Sequence, residues 1–190
     1  YQELAAQTAC VVCGAGKFHP DNARSDSEKL ACASCPAGKH QNETGMMSCK
    51  GTACVPGKYY EKVAQTVAVL CRDCQAGGMY QDQEGQTQCK GTPCVAGKYF
   101  EYAAQASPVV CKGTACIAGR FFASVAQVAP VSCKNCPAGQ HQDEEGQTNC
   151  KGIACVAGKY HEHVAQTVPV TCKSCAHGQY QLSIGSRACI

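Results

Sequence analysis

Cys10, Cys13, Cys32 and Cys35 are spaced C-x2-C-x18-C-x2-C, and such a quartet can hold zinc because thiolates two residues apart converge on one tetrahedral ion. A C-x2-C pair can also carry thiol redox chemistry, provided one thiolate sits exposed at the start of a helix. His161 and His163 stand two residues apart, so on a strand they would share a face, as two metal ligands could. Each constellation has a plainer reading. Fifteen further cysteines accompany the quartet, in C-x4-C pairs as well as C-x2-C pairs, which makes the zinc spacing a by-product of a repeat. No helical periodicity supplies the redox context, and the histidine pair reads as a solvated strand edge. There is no G-x-S-x-G, no phosphate-binding loop and no repeated carboxylate dyad with a histidine partner. Asp143, Glu144 and Glu145 cluster at a turn and read as solubilising charges. The expectation is a protein that is not an enzyme and needs no cofactor or metal.

What must position these residues is a cross-linked scaffold. Cysteine makes up 19 of 190 residues, tryptophan is absent, and the apolar fraction of 45% owes much to cysteine and alanine, a disulfide-framework composition. Large aliphatics such as Leu4, Leu30, Leu70, Ile117 and Ile153 are scattered, too thinly for a single core. Cross-links must replace burial, each contributing about 2–4 kcal/mol by the loop-entropy account. Such bonds persist in oxidising surroundings, so the chain is expected outside the cell or at its surface, by way of the secretory pathway. The net charge of +3 is spread along the chain, which argues against a dedicated nucleic-acid surface. No apolar run is long enough to cross a bilayer as a helix.

The cysteines reveal a period. Cys13, Cys35, Cys54, Cys74, Cys94, Cys116, Cys136, Cys155 and Cys175 each open a loop, and each is followed three residues later by glycine. That recurrence implies a positive φ or a close backbone approach. Short loops hold 13 residues between cysteines, 14 in one copy, as in PAGQHQDEEGQTN; long loops hold 16, as in VAGKYHEHVAQTVPVT; the first loop, Cys13 to Cys32, is an irregular 18. Four-residue linkers (KGTA, KGTP, KGTA, KGIA) precede the regular long loops and two-residue linkers precede the short ones.

The run Q-D-E-E-G-Q-T predicts a hairpin with glycine in the left-handed position. The tail V-A-Q-T-V-P-V alternates, predicting a strand with Val164, Gln166, Val168 and Val170 on one face, interrupted or at an edge where Pro108, Pro130 and Pro169 fall. Gln65, Gln105, Gln127 and Gln166 recur on that apolar face and are expected to bond the backbone of an adjacent loop. Aromatic pairs (Tyr59-Tyr60, Tyr99-Phe100, Phe121-Phe122) follow the opener glycine, one ring for packing on the neighbouring disulfide and one for a partner. Lysines follow closing cysteines at 50, 90, 112, 134, 151 and 173, either a basic stripe for acidic polysaccharide or a solvated surface. Asn42-Glu43-Thr44 is the one N-glycosylation sequon, at a hairpin tip; Thr52, Thr92 and Thr114 are weaker candidates for O-linked sugar, so covalent glycans are expected.

CPAGKHQNETG at Cys35–Gly45 and CPAGQHQDEEG at Cys136–Gly146 resemble the ephrin-receptor-like cysteine-rich repeats, themselves similar to tumour necrosis factor receptor modules and found also in large surface proteins of protists. The resemblance runs from Cys10 to Cys189 and implies a small disulfide-rich, mostly β fold: an elongated, solenoid-like rod of tandem disulfide-closed hairpins with little helix. It implies pairing of each opener with the next cysteine: Cys13-Cys32, Cys35-Cys49, Cys54-Cys71, Cys74-Cys89, Cys94-Cys111, Cys116-Cys133, Cys136-Cys150, Cys155-Cys172 and Cys175-Cys189. An interleaved first-to-third scheme is the alternative. Cys10 is then left over, paired upstream of Tyr1 or between chains. The expected organisation is 1–12 as the tail of an upstream long loop, 13–49 as irregular long plus short loop, 54–89 as long plus short, 94–111 as one long loop, and 116–150 and 155–189 as long plus short. The functional expectation is a structural repeat protein, a stretch of a longer chain forming a surface filament, stalk or coat by contact with flanking repeats or copies of itself. The alternative is a receptor ectodomain binding a protein ligand through Phe100, Tyr102 and Phe122.

Overall fold

A computed structural model describes residues 12–20 and 32–190; Cys10 and most of the segment 1–12 lie outside them. Nine disulfides join each opener to the next cysteine, with sequence separations of 14 to 19. We number the loops 1 to 9 in chain order. No helix occurs among the described residues, and regular structure is confined to ten two-residue strands.

These strands form five antiparallel ribbons, each flanking a disulfide. They are β1 (Lys17–Phe18) with β2 (Ala33–Ser34), β3 (Lys58–Tyr59) with β4 (Arg72–Asp73), β5 (Arg120–Phe121) with β6 (Lys134–Asn135), β7 (Gln140–His141) with β8 (Lys151–Gly152), and β9 (Lys159–Tyr160) with β10 (Lys173–Ser174). Loops 2 and 5 carry the same pairing as single bridges, His40 to Lys50 and Tyr99 to Lys112. Long and short loops therefore share one register: residues just after the opener glycine pair with those just after the closing cysteine. A 13-residue and a 16-residue excursion leave from the same clasp, which is why loop length and repeat identity vary independently.

The expected strand in the long-loop tail does not form. Residues 161–170 contain bends and one bridge at Gln166, and Val168 is 59% exposed. The cause is the alanine of the A-Q signature: Ala64, Ala104, Ala126 and Ala165 all have φ between 53° and 56°, a left-handed conformation that turns the chain out of any strand. The short-loop tip glycines Gly45, Gly85, Gly146 and Gly185 occupy the same region, at φ 65° to 71°. The A-Q alanine is thus the long loop's counterpart of the short loop's tip glycine.

The chain divides into two compact units, one made of the residues up to Cys74 with Gln81–Lys90 and Ala104–Ser107, the other of Gln75–Tyr80, Gly91–Ala103 and Pro108–Ile190. Neither has a large apolar core. What is buried is a series of opener cysteines, Cys13, Cys35 and Cys54 among them at 0–1% exposure, together with Ala37, Ala96 and Ala138 and the polar side chains Gln41, Gln81, Gln142 and Gln181.

Successive loops are joined by the opener's own backbone. The left-handed residue of the following loop donates its N–H to the opener carbonyl: Gly45 to Cys13, Ala64 to Cys35, Gly85 to Cys54, Ala104 to Cys74, Ala126 to Cys94, Gly146 to Cys116, Ala165 to Cys136 and Gly185 to Cys155, all at 2.7–2.9 Å. The opener N–H in turn reaches the preceding loop, from Cys54 to Ala37 O and from Cys74 to Gly57 O, both 2.9 Å. Loops two apart also meet. A Cβ on Gly57 would lie 2.2 Å from the Ala104 carbonyl oxygen, and one on Gly119 2.2 Å from that of Ala165.

Close approach and positive φ therefore both act at the opener glycine. Gly57→Ala meets both penalties, whereas Gly178→Ala at φ +82° has no atom within 4 Å and meets only the strain. The expected losses are about 1 kcal/mol for Gly178→Ala and at least about 2 kcal/mol more for Gly57→Ala, measured by denaturant unfolding with disulfides intact; equal losses would remove the close approach as a determinant of the fold.

Candidate functional site

The zinc and redox constellations are taken apart by the cross-links. Cys13 is bonded to Cys32 and Cys35 to Cys49, while Cys10 lies outside the described residues. The sulfurs of Cys13 and Cys32 and a ring nitrogen of His19 fall within 4.8 Å of one another, but zinc takes deprotonated thiols, and these sulfurs are spent on each other. His161 and His163 do not line up on a strand, since β9 stops at Tyr160. Their rings meet edge-on at 6.1 Å, and His161 Nδ1 sits 3.1 Å from the His163 carbonyl.

Of the two readings of the lysines after the closing cysteines, the basic stripe is largely neutralised by ion pairs. Lys50 reaches Glu43 at 2.6 Å, Lys90 reaches Asp82 at 2.5 Å, Lys112 reaches Glu101 at 2.8 Å, Lys151 reaches Asp143 at 2.5 Å, and Lys173 reaches Glu162 at 2.8 Å. The register of the clasp causes this: the residue after the closing cysteine stands across from the ring that follows the opener glycine, and an acid shortly beyond that ring comes within reach. Asp143 and Glu144 are accordingly paired with Lys151 rather than being free charges. Among the lysines named from the sequence, Lys134 has no ion pair, because the Glu61, Glu101 and Glu162 position is Ala123 in loop 6.

The pairs bias titration in both directions. The hydrogen bond from each lysine holds the carboxyls of Asp82, Glu101, Asp143 and Glu162 below their ordinary values. The same bonds, accepted by Glu101, Asp143 and Glu162, raise Lys112, Lys151 and Lys173. All these groups are exposed, so each pair is a small contribution that salt screens.

The polar residues the structure brings inward were not singled out from the sequence. Gln41, Gln81 and Gln142 are 1% exposed and Gln181 6%. Gln142 donates through Nε2 to the Asn149 carbonyl at 2.8 Å and accepts at Oε1 from the Glu144 N–H at 3.1 Å, closing the hairpin from inside; Gln41 and Gln81 do the same with Ser48, Glu43, Gln88 and Gln83. Their backbones link three loops at once: Gly119 N–H donates to Gln142 O at 2.7 Å, and Gln142 N–H donates to Gln166 O at 2.9 Å. The available signal was a glutamine just before the tip of all four short loops, in HQN, YQD, HQD and YQL. The A-Q glutamines do bond the neighbouring loop, but through the main chain. The side chains of Gln65, Gln127 and Gln166 turn back to their own loop, to Val63, Val125 and Val164 carbonyls at 3.1–3.2 Å.

Loop 5 departs from this scheme. Phe100 occupies the bridging position, its N–H donating to Gln127 O at 2.9 Å and its carbonyl accepting from Gly77 N–H at 3.0 Å. Its ring meets Tyr102 edge-on at 6.0 Å, Tyr102 is 63% exposed, and Lys112 Nζ lies 5.9 Å from the Tyr102 ring centre. Tyr99 packs against the linker instead, where a Cβ on Gly113 would come 3.3 Å from its ring. Asn42 is exposed at its hairpin tip with Oδ1 accepting from Lys50 at 2.7 Å, and Thr52, Thr92 and Thr114 are exposed in their linkers.

The arrangement is a tandem, disulfide-closed hairpin repeat rich in cysteine. Comparison with known families finds no family model that matches the chain, and no curated protein matches it.

Two outcomes test this account. Gln142→Leu strands the Asn149 carbonyl and Glu144 N–H and is expected to cost about 2–3 kcal/mol, against under about 1 kcal/mol for Gln166→Ala, both measured by denaturant unfolding; equal costs would refute the assignment. As for pH, a depressed carboxyl stabilises the fold above the ordinary carboxylate range and loses that contribution as pH falls through its folded value. A raised lysine stabilises below its ordinary value and loses that contribution as pH rises through its folded value. Stability should therefore be level near neutrality and decline slightly at both extremes, and Asp143→Asn should flatten the acid limb in a pH series of unfolding midpoints.

Proposed function

We propose that this chain is a non-enzymatic structural repeat protein of the cell surface or extracellular space, a length of filament, stalk or coat, of the kind that ephrin-receptor-like repeats build. The observation that carries the reading is the loop-to-loop bond repeated from Cys13 O to Cys155 O with the same donor class each time. Gln41, Gln81 and Gln142 are engaged in hairpin closure and Asp82, Glu101, Asp143 and Glu162 in ion pairs, and the disulfides suit an oxidising compartment. No helix among the described residues is long and apolar enough to cross a membrane. Partners in this reading are flanking repeats or further copies, with covalent sugar at Asn42 and, more weakly, at Thr52, Thr92 and Thr114, each of them exposed.

A second reading, a receptor ectodomain binding a protein ligand, is favoured by one observation: the exposed Tyr102 with Phe100 against it at 6.0 Å, at the one step where two long loops follow each other. Negative-stain imaging of the native source separates the two. Filaments or a regular layer are expected, and isolated particles whose binding to a surface is lost in Phe100→Ala/Tyr102→Ala would establish the receptor reading instead.

A further inference from the structure

In loop 1 the fold brings a third reactive group onto the disulfide. The Sγ atoms of Cys13 and Cys32 and a ring nitrogen of His19 lie within 4.8 Å of one another, the one such grouping of histidine, cysteine or carboxylate atoms among the described residues. Loop 8 carries a histidine at the same place, since His161 follows Cys155 at the offset at which His19 follows Cys13. Both histidines hang from equivalent main-chain bonds: the His19 N–H donates to Met46 O at 3.1 Å and the His161 N–H to Ser186 O at 3.2 Å. His161 nevertheless makes no such grouping with Cys155 and Cys172, and its Nδ1 lies 3.1 Å from the His163 carbonyl oxygen. In both loops the opener is buried, Cys13 at 0% and Cys155 at 1% exposure, and the closing cysteine, Cys32 or Cys172, is half-buried. The imidazole is what the first disulfide has and the second lacks.

That difference falls on the sulfur that leaves in thiol–disulfide exchange. A thiol arriving from solvent meets the half-buried closing cysteine, so the opener sulfur must leave as a thiolate, which apolar burial disfavours. A proton donor beside the leaving sulfur lifts that barrier, and histidine is the side chain that exchanges a proton between about pH 5 and 8. We propose that Cys13–Cys32 is an exchange site for small thiols of the glutathione class, with Cys32 as the sulfur captured and His19 as the acid for Cys13. The incoming thiolate forms a bond to Cys32 Sγ, the Sγ–Sγ bond breaks, and its electron pair goes to Cys13 Sγ, which takes a proton from the His19 imidazolium. Cys13 ends as a thiol and Cys32 as a mixed disulfide; the incoming thiol is oxidised, Cys13 is reduced, and no further oxidant enters. The ribbon beside His19 holds Lys17 as its titratable group, while Ala33 and Ser34 across it and Met46, whose carbonyl takes the His19 N–H, are neutral. This inference does not depend on filament assembly.

The full oxidised chain, with any free thiol alkylated first, should be treated with reduced glutathione, quenched with acid and mapped by mass spectrometry of its peptides. The ratio of the opening rates of Cys13–Cys32 and Cys155–Cys172 within one sample cancels the ionisation of glutathione itself. That ratio should be about tenfold at about pH 6 and fall toward unity at about pH 8.5, with the glutathione adduct on Cys32. His19→Gln should bring the ratio close to unity at both pH values, while His161→Gln leaves it unchanged. The rate at Cys155–Cys172 monitors the integrity of the array in each variant and is expected to stay the same in His19→Gln. A ratio close to unity at the lower pH in the unaltered chain would overturn the proposal. So would a high ratio that survives His19→Gln, or an adduct found on Cys13 instead of Cys32.

Discussion

The opener cysteine is the joint on which everything else hangs. Its sulfur closes its own hairpin, and its carbonyl accepts from the left-handed residue of the loop after it. From Cys35 onward its N–H also reaches the loop before it. It is buried in eight of nine copies, the exception being Cys175. A backbone amide or carbonyl removed from water without a partner costs on the order of 1–3 kcal/mol, so the burial of the sulfur and the pairing of its backbone are one requirement. A side chain small enough to bury and able to cross-link is needed there, and cysteine alone meets both conditions.

The neighbours follow from that joint. For a carbonyl to accept from the next loop, the donor's chain must turn with positive φ, and the two loop types meet this need with different residues. Glycine does so in the short loops at little conformational cost. Alanine does so in the long loops, accepting left-handed strain of about 1–2 kcal/mol where its carbonyl closes on the opener glycine two loops earlier. The missing side chain of that glycine and the turn at the alanine are two halves of one contact. Loop 4, one residue longer than the other short loops, keeps the register by a second glycine: a Cβ on Gly78 would lie 2.4 Å from Thr92 O, as one on Gly38 would lie 2.7 Å from Thr52 O.

Interior polarity takes the place of an apolar core. A hairpin of 13 residues cannot enclose enough aliphatic surface to hold its own shape, and the buried glutamine answers this by offering a donor and an acceptor on one side chain. In Gln41, Gln81 and Gln142 both are used within the same hairpin, while the same residue's backbone bonds the loops on either side. Charge is organised by the same register: cations after the closing cysteine find acids beyond the opener glycine, and Lys134 lacks one where that acid is replaced by Ala123.

The sequence by itself determined the loop boundaries, the two loop lengths, the coupling of linker to loop type and the left-handed tip glycines, because cysteine and glycine are constrained by covalent geometry and backbone sterics that act locally. It also disclosed the absence of a conventional core from the shortage of large aliphatics. Only the tertiary structure decided what each polar side chain does. Val164, Gln166, Val168 and Val170 alternate like a strand, yet one alanine in the left-handed region breaks that pattern, and nothing local distinguishes such an alanine from an ordinary one. Gln142 and Gln166 are the same residue type at recurrent positions, and one is buried while the other lies nearer the surface. Lys112 and Lys134 follow closing cysteines alike, and only the clasp's register shows that Glu101 meets the first and Ala123 leaves the second free. Partner choice for an amide or a charge depends on atoms many residues away, which enter only when the loops are brought together.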